Sequence, residues 1–290
     1  MSEINGLLLN GFGSFYNVMV NGNVFEARAR GRIKQEKIRL LIGDNVTLEE
    51  ESGTYAITGV LPRKNCLIRP AVANIDQIVV VIAAAEPDPN YKQTDKLLAL
   101  LEYNNFNVHI CINKSDIADY SEIESVYKSA GYGVTVISAT TEVPDIEPLK
   151  SVLKGKISAF AGCSGVGKSS LINLLDSSFE RTTGEVGKIK RGKHTTTHAS
   201  LLPLDCGGYV ADTPGFSVVD LSEISTTELC GCFREFSDYF GQCKFSGCTH
   251  INEPGCIVKD MVSAGEISQS RYESYKMLYE EALSLKKNFN

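Results

Sequence analysis

Residues Gly162 to Ser169, "GCSGVGKS", fit G-x-x-x-x-G-K-[ST]. The glycines let a backbone curl until its amides face phosphate oxygens, and a following helix N-terminus adds positive potential. Lys168 would reach the β- and γ-phosphates. Ser169 would bind Mg²⁺ through its hydroxyl. Cys163, Ser164, Gly165, Val166 and Gly167 would supply the wrapping backbone, with Ser170 closing the set. Downstream, "YVADTPGF" offers Asp212 for Mg²⁺, through a water, and the Gly215 amide for the γ-phosphate. A second tetrad, Asn113-Lys114-Ser115-Asp116, places a carboxylate to accept from guanine N1 and N2. Adenine lacks that pair of donors, so a buried Asp116 would reject it. Asn113 would tie this loop to the phosphate loop, and the Lys114 stem would pack along the base. Ser138 and Ala139 follow, with the Ala139 amide aimed at guanine O6.

The order of these segments is unusual. Most GTP-binding chains write the phosphate loop first, whereas here 113–116 precedes 162–169. The sequence is a cyclic shift, which surface-exposed and often neighbouring termini make tolerable. It tethers the loop most sensitive to the γ-phosphate directly to the last segment. Between phosphate loop and D-x-x-G lies "GKIKRGKHTTTHASLL", basic and glycine-bearing. One of Thr195, Thr196 and Thr197 would be the second Mg²⁺ ligand, with Thr196 favoured. Lys188, Lys190, Arg191 and Lys193 could meet RNA phosphates or simply stay solvated. The water-orienting glutamine of many GTPases would stand at Phe216, which can neither donate nor accept. His194 is the candidate catalytic group within the chain; its alternative is a contact to RNA or backbone.

Nine cysteines occur in the 290 residues, five of them from Cys230 to Cys256. Cys243, Cys248, His250 and Cys256 read C-x₄-C-x-H-x₅-C, a closed tetrahedral donor set for one structural Zn²⁺ with no catalytic position left open. Cys230 and Cys232 are a competing pair, read here as core residues beside "FREF". His109 and His198 are read as structural.

The elements that must position these groups fall into three segments. Residues 1–70 carry short alternating stretches, which predict a small β-barrel. Arg28, Arg30, Arg32 and Lys34 recur at every second position, so on one strand they share a face. That stripe is either a solvated face or an RNA phosphate track, and no stacking aromatic is evident beside it. Residues 71–221 alternate apolar strand-like runs with helical spacing, which predicts a parallel sheet covered on both sides. Residues 222–290 hold the cysteine cluster and one long amphipathic helix, expected to pack on its own domain. Net charge is −6, so nucleic-acid contact needs local basic patches. No apolar run approaches membrane-crossing length and no signal peptide is evident, which predicts a cytoplasmic protein without membrane contact.

Taken together the motifs resemble one family of circularly permuted GTPases, the ribosome small subunit-dependent GTPase A family. The resemblance covers nearly the whole chain: basic barrel, "NKSD", "SA", "GCSGVGKSSLIN", "GKHTTT", "DTPGF" and the cysteine/histidine cluster. It implies an N-terminal OB-fold barrel, a central α/β circularly permuted P-loop GTPase domain and a C-terminal helical zinc-binding domain. It implies the same four zinc ligands, GTP with Mg²⁺, and hydrolysis stimulated by the small ribosomal subunit during its late maturation. Barrel and zinc domain would grip rRNA, and the protein is expected to be a monomer. The competing expectation is a ribosome-binding sensor of guanine nucleotides or an alarmone, in which hydrolysis is incidental.

Overall fold

A computed structural model describes residues 4–30, 33, 38–51, 54–67, 71–180, 200–212, 221–222 and 224–288. They fall into two compact units, drawn from Met1–Gln77, Lys150–Phe160 and Ile172–Phe216, and from Ile78–Leu149, Ala161–Leu171 and Ser217–Asn290.

In the first unit, β1 (Ile4–Phe12), β2 (Phe15–Val20), β3 (Asn23–Ala29), β4 (Asn45–Glu51) and β5 (Thr54–Val60) close into a barrel of order β1-β2-β3-β5-β4. Closure removes the exposed strand edges that a five-stranded sheet would otherwise present. The β3–β5 pair is parallel and the other four are antiparallel, the OB-like arrangement expected. Leu8, Val18, Ala27, Val46, Leu48 and Ile57 fill the interior. A short pair, β6 (Cys66–Leu67) and β7 (Val72–Ala73), follows.

The remaining strands are β8 (Gln77–Ala83), β9 (Val108–Asn113), β10 (Gly133–Val136), β11 (Ile157–Ala161), β12 (Ser200–Pro203) and β13 (Tyr209–Asp212). They form one sheet of order β10-β9-β8-β11-β13-β12. All seven β8 residues are buried, as a doubly covered strand requires. The expected parallel sheet needs one amendment: edge strand β12 runs antiparallel to β13. The helices are α1 (Tyr91–Tyr103), α2 (Ser121–Ser129), α3 (Glu147–Leu153), α4 (Lys168–Glu180), α5 (Ile257–Ala264) and α6 (Gln269–Asn288).

In the second unit two 3₁₀ turns, Leu229–Cys232 and Arg234–Tyr239, pack with α5 and α6 around Phe233, Phe236, Val258, Tyr275 and Leu278. Ala99 of α1 belongs to the same cluster, so the last helix packs beyond its own segment. Among the described residues, no helix is long and apolar enough to cross a membrane.

Candidate nucleotide site and metal cluster

The phosphate loop leaves β11 and enters α4. Gly162 has φ +137, and a Cβ there would lie 2.3 Å from the Val81 carbonyl oxygen. Gly167 has φ +95, and its Cβ would lie 2.2 Å from Asn113 Nδ2. Only glycine satisfies both the dihedral and the space. Asn113 is 1% exposed, at the end of β9. Its Nδ2 donates to the Val166 carbonyl at 2.9 Å, and its Oδ1 accepts from the Ala139 amide at 3.1 Å. One amide thus ties the phosphate loop to both base-reading segments. The two motifs written in reversed order meet in one site. The Ala139 amide, expected at guanine O6, is engaged by Asn113 instead.

Lys168 is half-buried, and its Nζ donates to the carbonyls of Gly162 at 2.8 Å and Cys163 at 2.7 Å. Burial lowers its pKa, so phosphate oxygens would restore the charge's lost solvation. Lys114 adopts φ +61, and its Nζ donates to the Glu86 carbonyl. Asp116 is exposed at the mouth, which corrects the expectation of a buried carboxylate. Ser138 Oγ donates to Asp116 Oδ1, and Thr140 Oγ1 donates to Oδ2 at 3.4 Å. The Ser138 hydrogen bond is the main cause of a lowered Asp116 pKa. Ser164, Gly165, Ser169 and Ser170 are exposed, while Val166 is buried beneath the loop. A cavity of about 310 Å³ lies beside it, lined by Pro87, Asn90, Gln93, Cys163, Ser164 and Val166 among others.

The donor atoms of Cys243, Cys248, His250 and Cys256 lie within 4.8 Å of one another. Cys243 Sγ is 3.6 Å and Cys256 Sγ 3.3 Å from His250 Nδ1, and the two sulfurs are 4.0 Å apart. Tetrahedral zinc with ordinary bond lengths needs about 3.5–3.8 Å between donors, so the set fits with small adjustment. Burial pushes the Cys248 thiol up to about 12; a bound dication reverses that, because a coordinating thiol is deprotonated outright. His250 sits at φ +60. Its loop is braced by Glu253, which accepts from the Thr249 amide and hydroxyl and from the Ile251 amide. Tyr272 and Tyr275 hydroxyls donate to the His250 and Thr249 carbonyls at 2.7 and 2.6 Å. Cys232 is buried and Cys230 half-buried in the neighbouring core, as expected of that pair.

A family model described as RsgA GTPase matches residues 60–222, and one described as RsgA N-terminal domain matches residues 5–57. The chain belongs to the RsgA GTPase family. Relatives named small ribosomal subunit biogenesis GTPase RsgA include one from Agathobacter rectalis, 43% identical over 95% of this chain and 97% of its own length. Another, from Caldanaerobacter subterraneus, is 44% identical over 97% and 96%. The crystal structure of YjeQ from Thermotoga maritima superposes with TM-score 0.81 at 38% identity, covering 97% of this chain and 99% of that one. YloQ, described as a circularly permuted GTPase, gives TM-score 0.81 at 31% identity over 98% and 96%. The RsgA-family chain is therefore a GTP hydrolase whose central domain is circularly permuted.

Other expected RsgA site residues divide in two groups. Arg28 and Arg30 are exposed at the end of β3, opposite inward-facing Ala27 and Ala29. β3 itself stops at Ala29, and Arg30 pairs with Glu49 at 2.6 Å. Arg32, Lys34, Lys188, Lys190, Arg191, Lys193, His194, the Thr195–Thr197 run with Thr196, His198, Gly215 and Phe216 lie outside the described residues. Asp212 ends β13, beside parallel β11. His109 is structural, with Nε2 2.8 Å from Thr135 Oγ1 across β9 and β10. Sequence reasoning missed the aromatics. Phe15 faces Arg28 across β2 and β3, its ring 4.4 Å beneath the guanidinium, and Phe12 is 79% exposed beside it. The signal was "FGSF", two phenylalanines flanking a turn.

Proposed function

We propose that this protein acts in late maturation of the small ribosomal subunit. It binds rRNA in the GTP state, hydrolyses GTP under stimulation by the subunit, and leaves after hydrolysis. The Asn113 bridge carries the reading, because it makes base and phosphate recognition parts of one rigid pocket. The RsgA relatives carry the ribosomal role in their names. In the pocket, Asp116 reads guanine, Lys168 meets the β- and γ-phosphates, and Ser169 holds Mg²⁺ with Asp212 and Thr196. His194 orients the attacking water; Phe216 cannot. Zn²⁺ on Cys243, Cys248, His250 and Cys256 is structural, and when bound it fixes the loop geometry. Phe12, Phe15 and Arg28 favour RNA on the barrel, since exposed aromatics stack unpaired bases and arginines meet phosphates. We assign the domains as 1–70, 71–221 and 222–290, in a cytoplasmic monomer.

GTP turnover with and without purified small subunits tests the proposal. Slow intrinsic hydrolysis and strong stimulation are expected; equal rates would refute it. The sensor reading, in which nucleotide occupancy alone sets ribosome binding, is separated by His194→Ala. That variant should stall on the subunit if hydrolysis times release, and should leave release unchanged if it does not.

A further inference from the structure

Arg271, in the first turn of α6, is 1% exposed, and each of its three guanidinium nitrogens donates a hydrogen bond. Nη1 donates to Asp95 Oδ1 of α1 at 2.6 Å. Nε and Nη2 donate to Glu235 at 2.7 and 3.1 Å. The Phe233 ring lies 4.5 Å from its Cζ, and the Tyr127 hydroxyl also donates to Asp95 Oδ1, at 3.2 Å. Burying three charges is expensive, and an apolar trio of similar volume would hold the three segments together at least as well. What the charges add is a fixed register between α6 and α1.

That register connects two sites. The next residue, Tyr272, donates its hydroxyl to the carbonyl of His250, a member of the metal cluster. On the other side, Asp95 follows Thr94 and Gln93 in α1. Those two residues, with the N-cap Asn90, wall the cavity against Cys163, Ser164 and Val166 of the phosphate loop. Cys163 Sγ donates to Gln93 Oε1 at 3.2 Å. The contacts run without a gap from a metal ligand's backbone to the phosphate loop.

We propose that Arg271 is a positioning residue that couples metal binding at the cysteine/histidine cluster to guanine-nucleotide binding. The proposal rests on zinc occupying that cluster. With zinc bound, the His250 backbone would be held in place, the Tyr272 hydroxyl would carry that position to α6, and Arg271 would set α1 against the phosphate loop. Coupling of this kind is reciprocal, so nucleotide must raise zinc affinity by the factor that zinc raises nucleotide affinity.

The test uses the full chain loaded with zinc. Apparent zinc affinity is measured by competition with a chromophoric chelator, with and without saturating GDP. We expect GDP to tighten zinc at least about 5-fold, the lower end of ordinary coupling. In Arg271→Met/Asp95→Asn/Glu235→Gln, which removes the charges together, the GDP effect should fall below about 2-fold while melting stays cooperative. Should that variant not fold, Tyr272→Phe removes one hydroxyl and must at least halve the GDP effect. Zinc affinity indifferent to GDP in the unmodified protein, or a full GDP effect in the folded variants, overturns the inference. A purified protein with no zinc by elemental analysis overturns the metal reading first, and is distinguishable from either result.

Discussion

The nucleotide site and the cysteine/histidine cluster solve the same problem by opposite means. At the candidate nucleotide site, glycines set the direction of the backbone and one buried side chain, Asn113, locks the loops. At the cluster, side chains face the ligand and other side chains set the backbone: Glu253, Tyr272 and Tyr275 all bond main-chain groups of residues 249–251. A preformed backbone site keeps its shape without its ligand. A site of converging thiols has only weak contacts to hold it without one, since burial raises Cys248 and Cys256 against ionisation and leaves neutral sulfurs with little mutual attraction. The first should therefore fail locally when altered and the second globally.

The largest effect should follow from breaking the cluster. Structural zinc supplies about 10–16 kcal/mol of apparent binding energy in isolated zinc-finger peptides, and that energy is folding energy. Cys256 is also 1% exposed within the aromatic core. Cys256→Ser should lose the metal and open residues 221–288 to protease, with nucleotide protection of the phosphate loop reduced as well. Elemental analysis and limited proteolysis check this. An intact, protease-resistant C-terminal region in that variant would end the contrast drawn above.

Gly167→Ala should come next and remain local. The positive φ costs about 1–2 kcal/mol, and the new methyl meets Asn113 Nδ2 at 2.2 Å. Nucleotide affinity should fall about 30-fold, equivalent to ~2 kcal/mol. Gly131→Ala is the control: its φ is +83 and nothing lies within 4 Å of the added carbon. It should lower the melting temperature without touching nucleotide binding. Equal nucleotide affinities for the two variants would show that the loop interlock is unimportant.

How much of this was legible depended on whether a feature is local in sequence. The phosphate loop, the tetrad 113–116 and the cluster ligands are short spacings, and the structure brings each set together. The buried β8 and the helix α6 announced themselves by composition and period. β1 did not, because its register shifts between Leu8 and Asn10 and the successive residues Leu8 and Leu9 are both buried, which breaks the alternation. β12 was unreadable as antiparallel, since direction is set by pairing and not by residue type. The burial expected of Asp116 was not legible, because burial depends on how far neighbouring loops project, and Asp116 is exposed. The Arg271 triad joins residues from three distant stretches, and nothing in any one of them hints at the other two.

Asn113→Ala sharpens the contrast from the other side. It leaves the Val166 carbonyl and Ala139 amide without their partner, at about 1–3 kcal/mol for each group that stays buried. Nucleotide affinity should drop about 10-fold, or ~1.4 kcal/mol, with the cluster's metal content unchanged. Isothermal titration with GDP and zinc analysis on one sample check both halves. Zinc lost outright in this variant, beyond the few-fold loosening that coupling allows, would mean the two sites are not separately built.

The smallest effect concerns pH. The hydrogen bond from Ser138 lowers the Asp116 pKa below its ordinary range, which is near 3.9 for an unperturbed aspartate. A depressed carboxylate contributes its hydrogen bonds fully above the unfolded value and loses them only as pH falls through the lower folded value. Guanine over adenine preference should therefore be flat from pH 5.5 to 8. Ser138→Ala removes the main cause of the depression, yet returns Asp116 only toward a value still far below neutrality. At pH 7 it should change GDP affinity less than about 3-fold, because the carboxylate stays charged either way. Asp116→Asn, in contrast, alters the acceptor itself and should move preference toward xanthine nucleotides at every pH. A guanine preference that fades between pH 8 and 5.5 would mean that the group reading the base is one that titrates near neutrality, and so is not Asp116.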